Sequence, residues 1–239
     1  MIRLYIPQPL AAGTAVAPTL DQSRYLTQVM RLKAGDDLLV FNGRDGEWRC
    51  SVAEVLKRGC LLKADERVRD QILPPDVELI LAVVKKSPLE FAVEKATELG
   101  VRRIRLVRTA RTQPQTIRLD RLDTIAVESA EQTGRMDVPE IVVSEPLDAL
   151  LDGWDPERRL MFCDETGGPP ALTALPKAGG AGWGILIGPE GGFSPDERER
   201  LLALPYATAV SLGPRVLRAD TAAVTALALW QATLGDWER

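Results

Sequence analysis

The 239-residue chain contains no histidine. That absence removes Ser/His/Asp and Cys/His nucleophilic triads and every histidine-ligated metal site. A general base must then be aspartate, glutamate, lysine, tyrosine or a group of the substrate, so the chemistry expected asks little of acid/base catalysis. Transfer of a group from an activated donor fits. Cysteine is almost as scarce: Cys50, Cys60 and Cys163 form neither a Cys-x-x-Cys pair nor an even disulfide framework. Zinc ribbon and oxidised scaffold are both unsupported, and three reduced, buried thiols and no metal are expected. No apolar run reaches the roughly eighteen residues of a membrane span. The opening Met-Ile-Arg-Leu-Tyr-Ile-Pro also lacks the apolar segment of a signal peptide. A soluble cytoplasmic protein without membrane association is the expectation. Two nucleotide fingerprints, Gly-x-Gly-x-x-Gly and the Gly-Lys-Ser/Thr of a P-loop, are missing as well.

The balance of 30 lysines and arginines against 34 acids leaves a net charge of −4, which on average disfavours a nucleic-acid partner. The charge is unevenly spread. Residues 102–121 hold Arg102, Arg103, Arg105, Arg108, Arg111, Arg118 and Arg121 against Asp120 alone, a window of +6 on a remainder of −10. Such a window is either a solvated face with salt-bridge partners elsewhere or a seat for an anionic substrate on an acidic body.

What is present reads as two regions, 1–72 and 73–239. The first shows short strand patterns: Arg-Leu-Tyr-Ile at the start, Leu-Leu-Val-Phe ending at Phe41, the stretch from Glu47 to Val55, and Cys60 to Ala64. Asn42 to Gly46 is a hairpin turn rich in residues that tolerate positive φ, and a short helix is expected around Ser23 to Arg31. Closely spaced strands of this kind predict a small barrel. Pro74-Pro75 then interrupts both helix and central strand. From Val77 the rhythm becomes strand then helix, beginning with the apolar run Val77–Val84. The helix that follows takes Ser87 as N-cap and Glu90 as capping box, and Gly100 ends it. Val101–Val107, a helix over Leu119–Thr133, Pro139–Val143 and Arg159–Cys163 continue the alternation, and Ala178–Gly182 reads as a flexible connection. Alternating β and α predicts an α/β domain with a mostly parallel sheet.

Two glycine loops stand out. Trp183–Ile187 is a buried-strand pattern running into Gly188-Pro-Glu-Gly-Gly192, after which Ser194 opens a helix with Glu197 as its capping partner. Glycines beyond the carboxyl end of such a strand let a ligand approach the backbone closely. Glu190, Asp196 and Glu197 would repel a phosphate chain, whereas a neutral adenosine or a sulfonium cation meets no such penalty. The second loop, Leu212-Gly-Pro-Arg-Val-Leu-Arg218, precedes a helix that is apolar nearly all round, with Asp220 as a plausible N-cap.

Leu186-Ile-Gly-Pro-Glu-Gly-Gly-Phe-Ser, Leu212-Gly-Pro-Arg-Val-Leu-Arg-Ala-Asp-Thr-Ala, Ser129-Ala-Glu-Gln-Thr-Gly-Arg and Glu94-Lys-Ala-Thr-Glu-Leu-Gly-Val occur in this order. Together they resemble the RsmE family, 16S ribosomal RNA uridine-N3 methyltransferases of the SPOUT superfamily. The likeness runs nearly end to end, Arg31-Leu-Lys-Ala-Gly-Asp included. It implies a PUA-like RNA-binding β-barrel at 1–72 followed by a trefoil-knotted α/β methyltransferase domain at 73–239, working as a homodimer with S-adenosylmethionine as donor. By motif position, Leu186, Ile187, Gly188, Pro189, Glu190, Gly191 and Gly192 form one side of the donor site. Leu212, Gly213, Arg215, Leu217 and Arg218 form the other. The implied substrate is the uridine at position 1498 of the conventional 16S count, within the small (30S) ribosomal subunit, with Arg24, Arg31, Lys33, Arg108, Arg111 and Arg135 as RNA contacts. Three positions depart from the family pattern: Tyr25 stands where histidine is frequent, Ala110 where an acid precedes Arg111, and Asp220 where glutamate is usual.

Uridine N3 carries a proton that must leave as the methyl group arrives, so the site has to stabilise a developing imide anion. Arg111 or Arg218 is expected to orient the uracil and balance that charge, with Asp220 or Glu131 as candidate base. Helix capping is the competing role for Asp220, and an ordinary exposed helix end for Glu131. Two other functions stay open at this point: a non-catalytic RNA-binding protein of the same fold, and the same chemistry on transfer RNA.

Overall fold

A computed structural model describes residues 1–180 and 182–237, with the backbone alone at Ser144. The chain divides into two compact units, Met1–Leu73 with Ala130–Val138, and Pro74–Ser129 with the chain from Pro139 onward.

In the first unit, β1 (Arg3–Tyr5), β2 (Ala15–Val16), β3 (Asp37–Phe41), β4 (Glu47–Leu56) and β5 (Gly59–Arg69) form one sheet in the order β1-β3-β4-β5-β2. Gly43 and Gly46 turn β3 into β4 with φ of 81° and 84°, values that an L side chain resists. A small barrel was the expectation. Among the described residues no ladder joins the two edge strands, so the sheet is open. The two-residue β2 offers too little edge to close it. Leu4, Leu26, Leu38, Val40, Cys50, Val52 and Leu62 make the core. The helix α1 (Leu20–Arg24), continued by a π-turn over Tyr25–Val29, begins earlier than Ser23 because Thr19 and Gln22 form a reciprocal capping box. Arg31, at φ 58°, stops it. The 130–138 segment joins this unit through Arg3, whose guanidinium donates to the carbonyls of Ala130, Glu131 and Arg135 at 2.7–2.9 Å while pairing with the buried Glu47.

The second unit is an α/β sandwich. Its strands are β6 (Val77–Ala82), β7 (Arg103–Arg108), β8 (Glu140–Pro146), β9 (Arg159–Cys163), β10 (Trp183–Ile187) and β11 (Ala207–Val210). All pair in parallel, in the order β11-β9-β10-β6-β7-β8. The central strands β6 and β10 are buried along their whole length, as a sheet covered on both faces requires. Gly184 in β10 is glycine because a β-carbon there would overlap the Trp154 ring. The connecting helices are α2 (Lys86–Glu98), α3 (Leu119–Thr133), α4 (Leu147–Asp152), α5 (Ala171–Ala178), α6 (Pro195–Ala203) and α7 (Ala219–Leu234). α4 and α5 have no counterpart in the pattern reading. Within the expected 178–182 connection, Gly179 and Gly180 follow α5 at positive φ, and Ala181 lies outside the described residues.

Two expected caps are corrected. Helix α2 starts at Lys86 with Lys85 at the N-cap, so Ser87 and Pro88 fall inside the first turn, where proline's missing N–H has no helical partner to lose. Helix α7 starts at Ala219 with Arg218 at the N-cap, and neither helix has a side-chain cap. Asp220 is therefore two residues past the cap position, and its Oδ1 accepts from the Thr221 amide at 2.7 Å instead.

Candidate active site

The strand order puts the carboxyl ends of β11, β9 and β10 side by side, and β9 lies between two strands that follow it in sequence. Loops leaving such neighbouring strands diverge and leave a crevice. Here they enclose about 790 Å³ of space, open mouth included.

Both glycine loops reach it. From the first, Ile187, Gly188, Pro189, Glu190 and Gly192 line the cavity; from the second, Leu212, Gly213, Arg215 and Leu217 do. Leu186 is fully buried in the sheet behind it. Gly191 instead faces Arg111, whose Nη1 donates to the Gly191 carbonyl at 2.8 Å. Arg218 lines a different groove, with Lys85, Pro88, Glu190 and Ala219. The third wall was missed by sequence reading: Cys163, Asp164 and Glu165, leaving β9. Phe193 and Ser211 were missed too. The strand pattern at 159–163 was visible, but nothing in a Cys-Asp-Glu-Thr stretch shows that its strand lies between β10 and β11.

Asp164 fixes that third wall. Burial alone would raise its carboxyl, yet hydrogen bonds from Arg198 and Thr166 and the Arg198 charge hold it below the ordinary value. Arg198 reaches it at 2.8 Å. The Cys163 thiol, by contrast, is pushed up to about 12 by burial, and so offers no thiolate nucleophile. Cys50, buried in the first unit, is likewise raised to about 12. The loop after β7 is tied to α6 by Glu197, whose two carboxylate oxygens accept from the Ala110 amide at 2.7 Å and the Ser194 amide at 2.8 Å. The expected capping box at Ser194 thus also holds the backbone beside Arg111, where the acid of the family pattern is replaced by Ala110.

The remaining candidates are dispersed. Glu131 belongs to the first unit, where its carboxylate accepts from the Tyr5 amide at 2.9 Å. Arg135 pairs with Asp137 at 2.9 Å and is 8% exposed, so it is committed internally. Arg24, Arg31 and Lys33 lie exposed on the first unit, and Arg108 ends β7 on the second. The arginine-rich window is divided. Arg103 and Arg105 pair with Glu140 and the buried Glu78, and Arg118 with Asp120, so these three belong to the bland salt-bridge reading rather than to a substrate seat.

The donor set also decides what the cavity accepts. Glu165, Glu190 and Asp164 line it against one arginine, Arg215, a balance that disfavours phosphate and favours a cation. Ile187, Val210, Leu212 and Leu217 supply apolar surface for an aromatic base. Among the described residues no cluster of histidine, cysteine, aspartate and glutamate is fit to hold a metal, and no helix is long and apolar enough to cross a membrane.

Fold and site define an RNA methyltransferase. The RNA methyltransferase domain model matches residues 71–231 and the RNA methyltransferase PUA domain model residues 18–65. Proteins named ribosomal RNA small subunit methyltransferase E are similar along nearly the whole chain. The one from Rickettsia conorii is 30% identical over 95% of this chain and 93% of its own. That from Synechocystis is 31% identical over 97% and 78%. The chain belongs to this ribosomal RNA small subunit methyltransferase E family, as its motifs implied. Among solved structures, the Neisseria gonorrhoeae ribosomal RNA small subunit methyltransferase E bound to S-adenosylmethionine superposes with a TM-score of 0.90, at 25% identity over 99% of both chains. A putative methyltransferase from Legionella pneumophila, also with S-adenosylmethionine bound, gives 0.88 at 28% identity over 98% of both chains.

Proposed function

We propose that this enzyme transfers the methyl group of S-adenosylmethionine to N3 of a uridine of 16S ribosomal RNA, the position-1498 type, in the 30S subunit. One observation carries the reading: a cavity at the carboxyl ends of three parallel strands, walled by two glycine loops and lined by carboxylates, in a fold whose relatives bind this sulfonium donor. Ile187, Leu212 and Leu217 would hold the adenine, backbone groups of Gly188–Gly192 the ribose, and the carboxylates the cationic end. When bound, the donor supplies an electrophilic methyl group. Everything else falls to the chain.

Arg111 is the residue best placed to act on the acceptor. One guanidinium nitrogen is fixed on the donor loop at Gly191, which leaves further N–H donors for a uracil carbonyl as negative charge builds on the ring. Catalysis is then mostly positioning and electrostatics, consistent with a chain that has no histidine. Arg218, with Lys85, lies at the other side of Glu190 and suits a backbone phosphate of the RNA. Exposed Arg24, Arg31 and Lys33 of the PUA-type unit serve the same RNA, and Arg108 extends the contact. A homodimer, no metal and a cytoplasmic location complete the reading.

The test is methyl transfer to intact small subunits, naked ribosomal RNA and transfer RNA, with the modified nucleoside identified by mass spectrometry. N3-methyluridine in the small subunit is the expected product. Modification of transfer RNA instead, or no thermal stabilisation by S-adenosylmethionine, refutes the reading, since a ligand that binds only the native state must raise its apparent stability.

A further inference from the structure

The two candidate bases, Asp220 and Glu131, are both occupied elsewhere: Asp220 with Thr221, and Glu131 with the Tyr5 amide of the first unit. Asp164 is engaged by Arg198 and Thr166 and is 2% exposed at the side chain. Two carboxylates of the site, Glu165 and Glu190, have no such engagement, and of the two it is Glu165 that also borders the groove holding Arg111. Glu165 is exposed and has no hydrogen-bond or ion-pair partner among the described residues.

Its position is specific. Beside the donor cavity lies a second groove, about 870 Å³ with its open mouth, walled by Arg111, Thr166, Phe193, Pro195 and Leu202. Glu165 and Phe193 are the residues common to both spaces. The Glu165 carboxylate rests directly on Gly192, where any β-carbon would overlap it. Gly192, at φ 67°, thus does two things at once: it makes the left-handed turn of the donor loop and leaves room for this side chain. The groove combines the Phe193 ring and the apolar sides of Pro195 and Leu202 with the guanidinium groups of Arg111 and Arg198, features that receive a flat base with a polar edge. The other charged groups facing Glu165 are Arg111 from the loop after β7, Arg198 and Glu199 from α6, Glu190 from the donor loop, Arg215 from the loop after β11 and Asp164 from its own loop. Of the three arginines, Arg198 is already paired with Asp164.

We propose that Glu165 is the proton acceptor of the transfer, taking the N3 proton of a uracil seated between Arg111 and Phe193. The proposal rests on the uridine-N3 reading given above. As the proton moves to the carboxylate, the N–H electron pair stays on N3 and forms the new bond to the methyl carbon. The carbon–sulfur bond breaks with its pair left on sulfur, so the sulfonium becomes a neutral thioether. The proton leaves Glu165 for solvent through the open groove. Arg111 meanwhile faces the uracil carbonyl that carries the transient negative charge.

The experiment compares wild type with Glu165→Gln, full chain, on assembled small subunits at saturating donor from about pH 6 to 9, with donor affinity measured by calorimetry. Donor Kd should weaken by no more than about fivefold, the loss of one exposed charge with Glu190 and Asp164 still facing the cation, while kcat at neutral pH falls roughly a hundredfold, the ordinary loss of a general base. The variant's rate should then climb about tenfold per pH unit as the uracil ionises unaided, whereas the wild type stays nearly level. A variant at wild-type rate, a deficit that does not vary with pH, or a loss of donor binding that matches the loss of rate overturns the assignment. Product analysis separates the two levels. A wild type that methylates another atom overturns the proposed function and this base with it; N3-methyluridine made equally well by both proteins removes Glu165 alone.

Discussion

Replacing Asp164 with asparagine tests how the third wall of the cavity is held. The aspartate Oδ1 accepts from the Thr166 amide and hydroxyl at 3.0 and 2.7 Å, and Oδ2 from Arg198 at 2.8–2.9 Å. Asparagine keeps Oδ1 for Thr166 and turns its amide nitrogen toward Arg198, donor against donor. A hydrogen bond to a charged group contributes about 1.5–3 kcal/mol. Arg198 is 36% exposed and regains some hydration, which puts the loss toward the lower end, about 2 kcal/mol. For a chain of this size that is a fall of about 4–8 °C in the transition of the second unit. The pH dependence follows from sign. Because Arg198 and Thr166 outweigh burial and hold the folded-state carboxyl below its unfolded value, the stabilisation is complete above the unfolded value of about 4. It disappears as pH falls through the lower folded value. Thermal melts at neutral pH and through the acid range check both points. Equal melting temperatures at pH 7, or a gap between wild type and variant that persists in acid, would show that the pair does not hold this wall.

Gly192→Ala should weaken donor binding at least tenfold, measured by calorimetry, because a left-handed φ costs a non-glycine residue about 1–2 kcal/mol and the new methyl displaces Glu165; unchanged affinity would count against both roles of this glycine. Arg218→Ala should leave donor Kd within about twofold, since Arg218 lines the groove beside the cavity rather than the cavity itself, and should lower the slope of log K against log salt for RNA binding by about 1. Full turnover with an unchanged salt slope would remove Arg218 from the site.

Much of this was legible in the sequence because the signals are local. A buried parallel strand reads as an apolar run, and Ser194 with Glu197 announces a helix start wherever it occurs. The two glycine loops were legible for the same reason, and nine of the twelve residues expected there line the cavity. What failed was non-local. Asp164 and Glu165 gain meaning only from the sheet order, which sets β9 between β10 and β11, and no periodicity encodes that order. The caps failed for a subtler reason. Ser87 and Asp220 are favourable capping types close to a helix start, but Lys85 and Arg218 adopt the extended backbone first, with ψ near 154° in both, and the helix is under way before the polar side chain arrives.

Those two displaced caps have a consequence for charge. At α6 the helix start is closed by Ser194 and acidified by Asp196 and Glu197; α2 begins without a side-chain cap, with Lys85 at the N-cap and no acid in its first turn, and α7 begins with Arg218 at the N-cap balanced by a single acid, Asp220. Aspartate or glutamate at a helix start neutralises the exposed N–H groups; a cation there leaves the local potential positive. The donor loop thus runs between two electrostatically different flanks, Glu197 with α6 on one and Lys85 with Arg218 on the other. A cationic donor and a polyanionic acceptor have to meet at this loop, and a site of uniform sign would repel one of them. The net −4 of the whole chain conceals that division, as does the arginine-rich window, whose Arg103 and Arg105 go to Glu78. In the proposed function, the charge that meets the RNA comes instead from single cations placed by the topology: Arg111 after β7, Lys85 after β6 and Arg218 after β11.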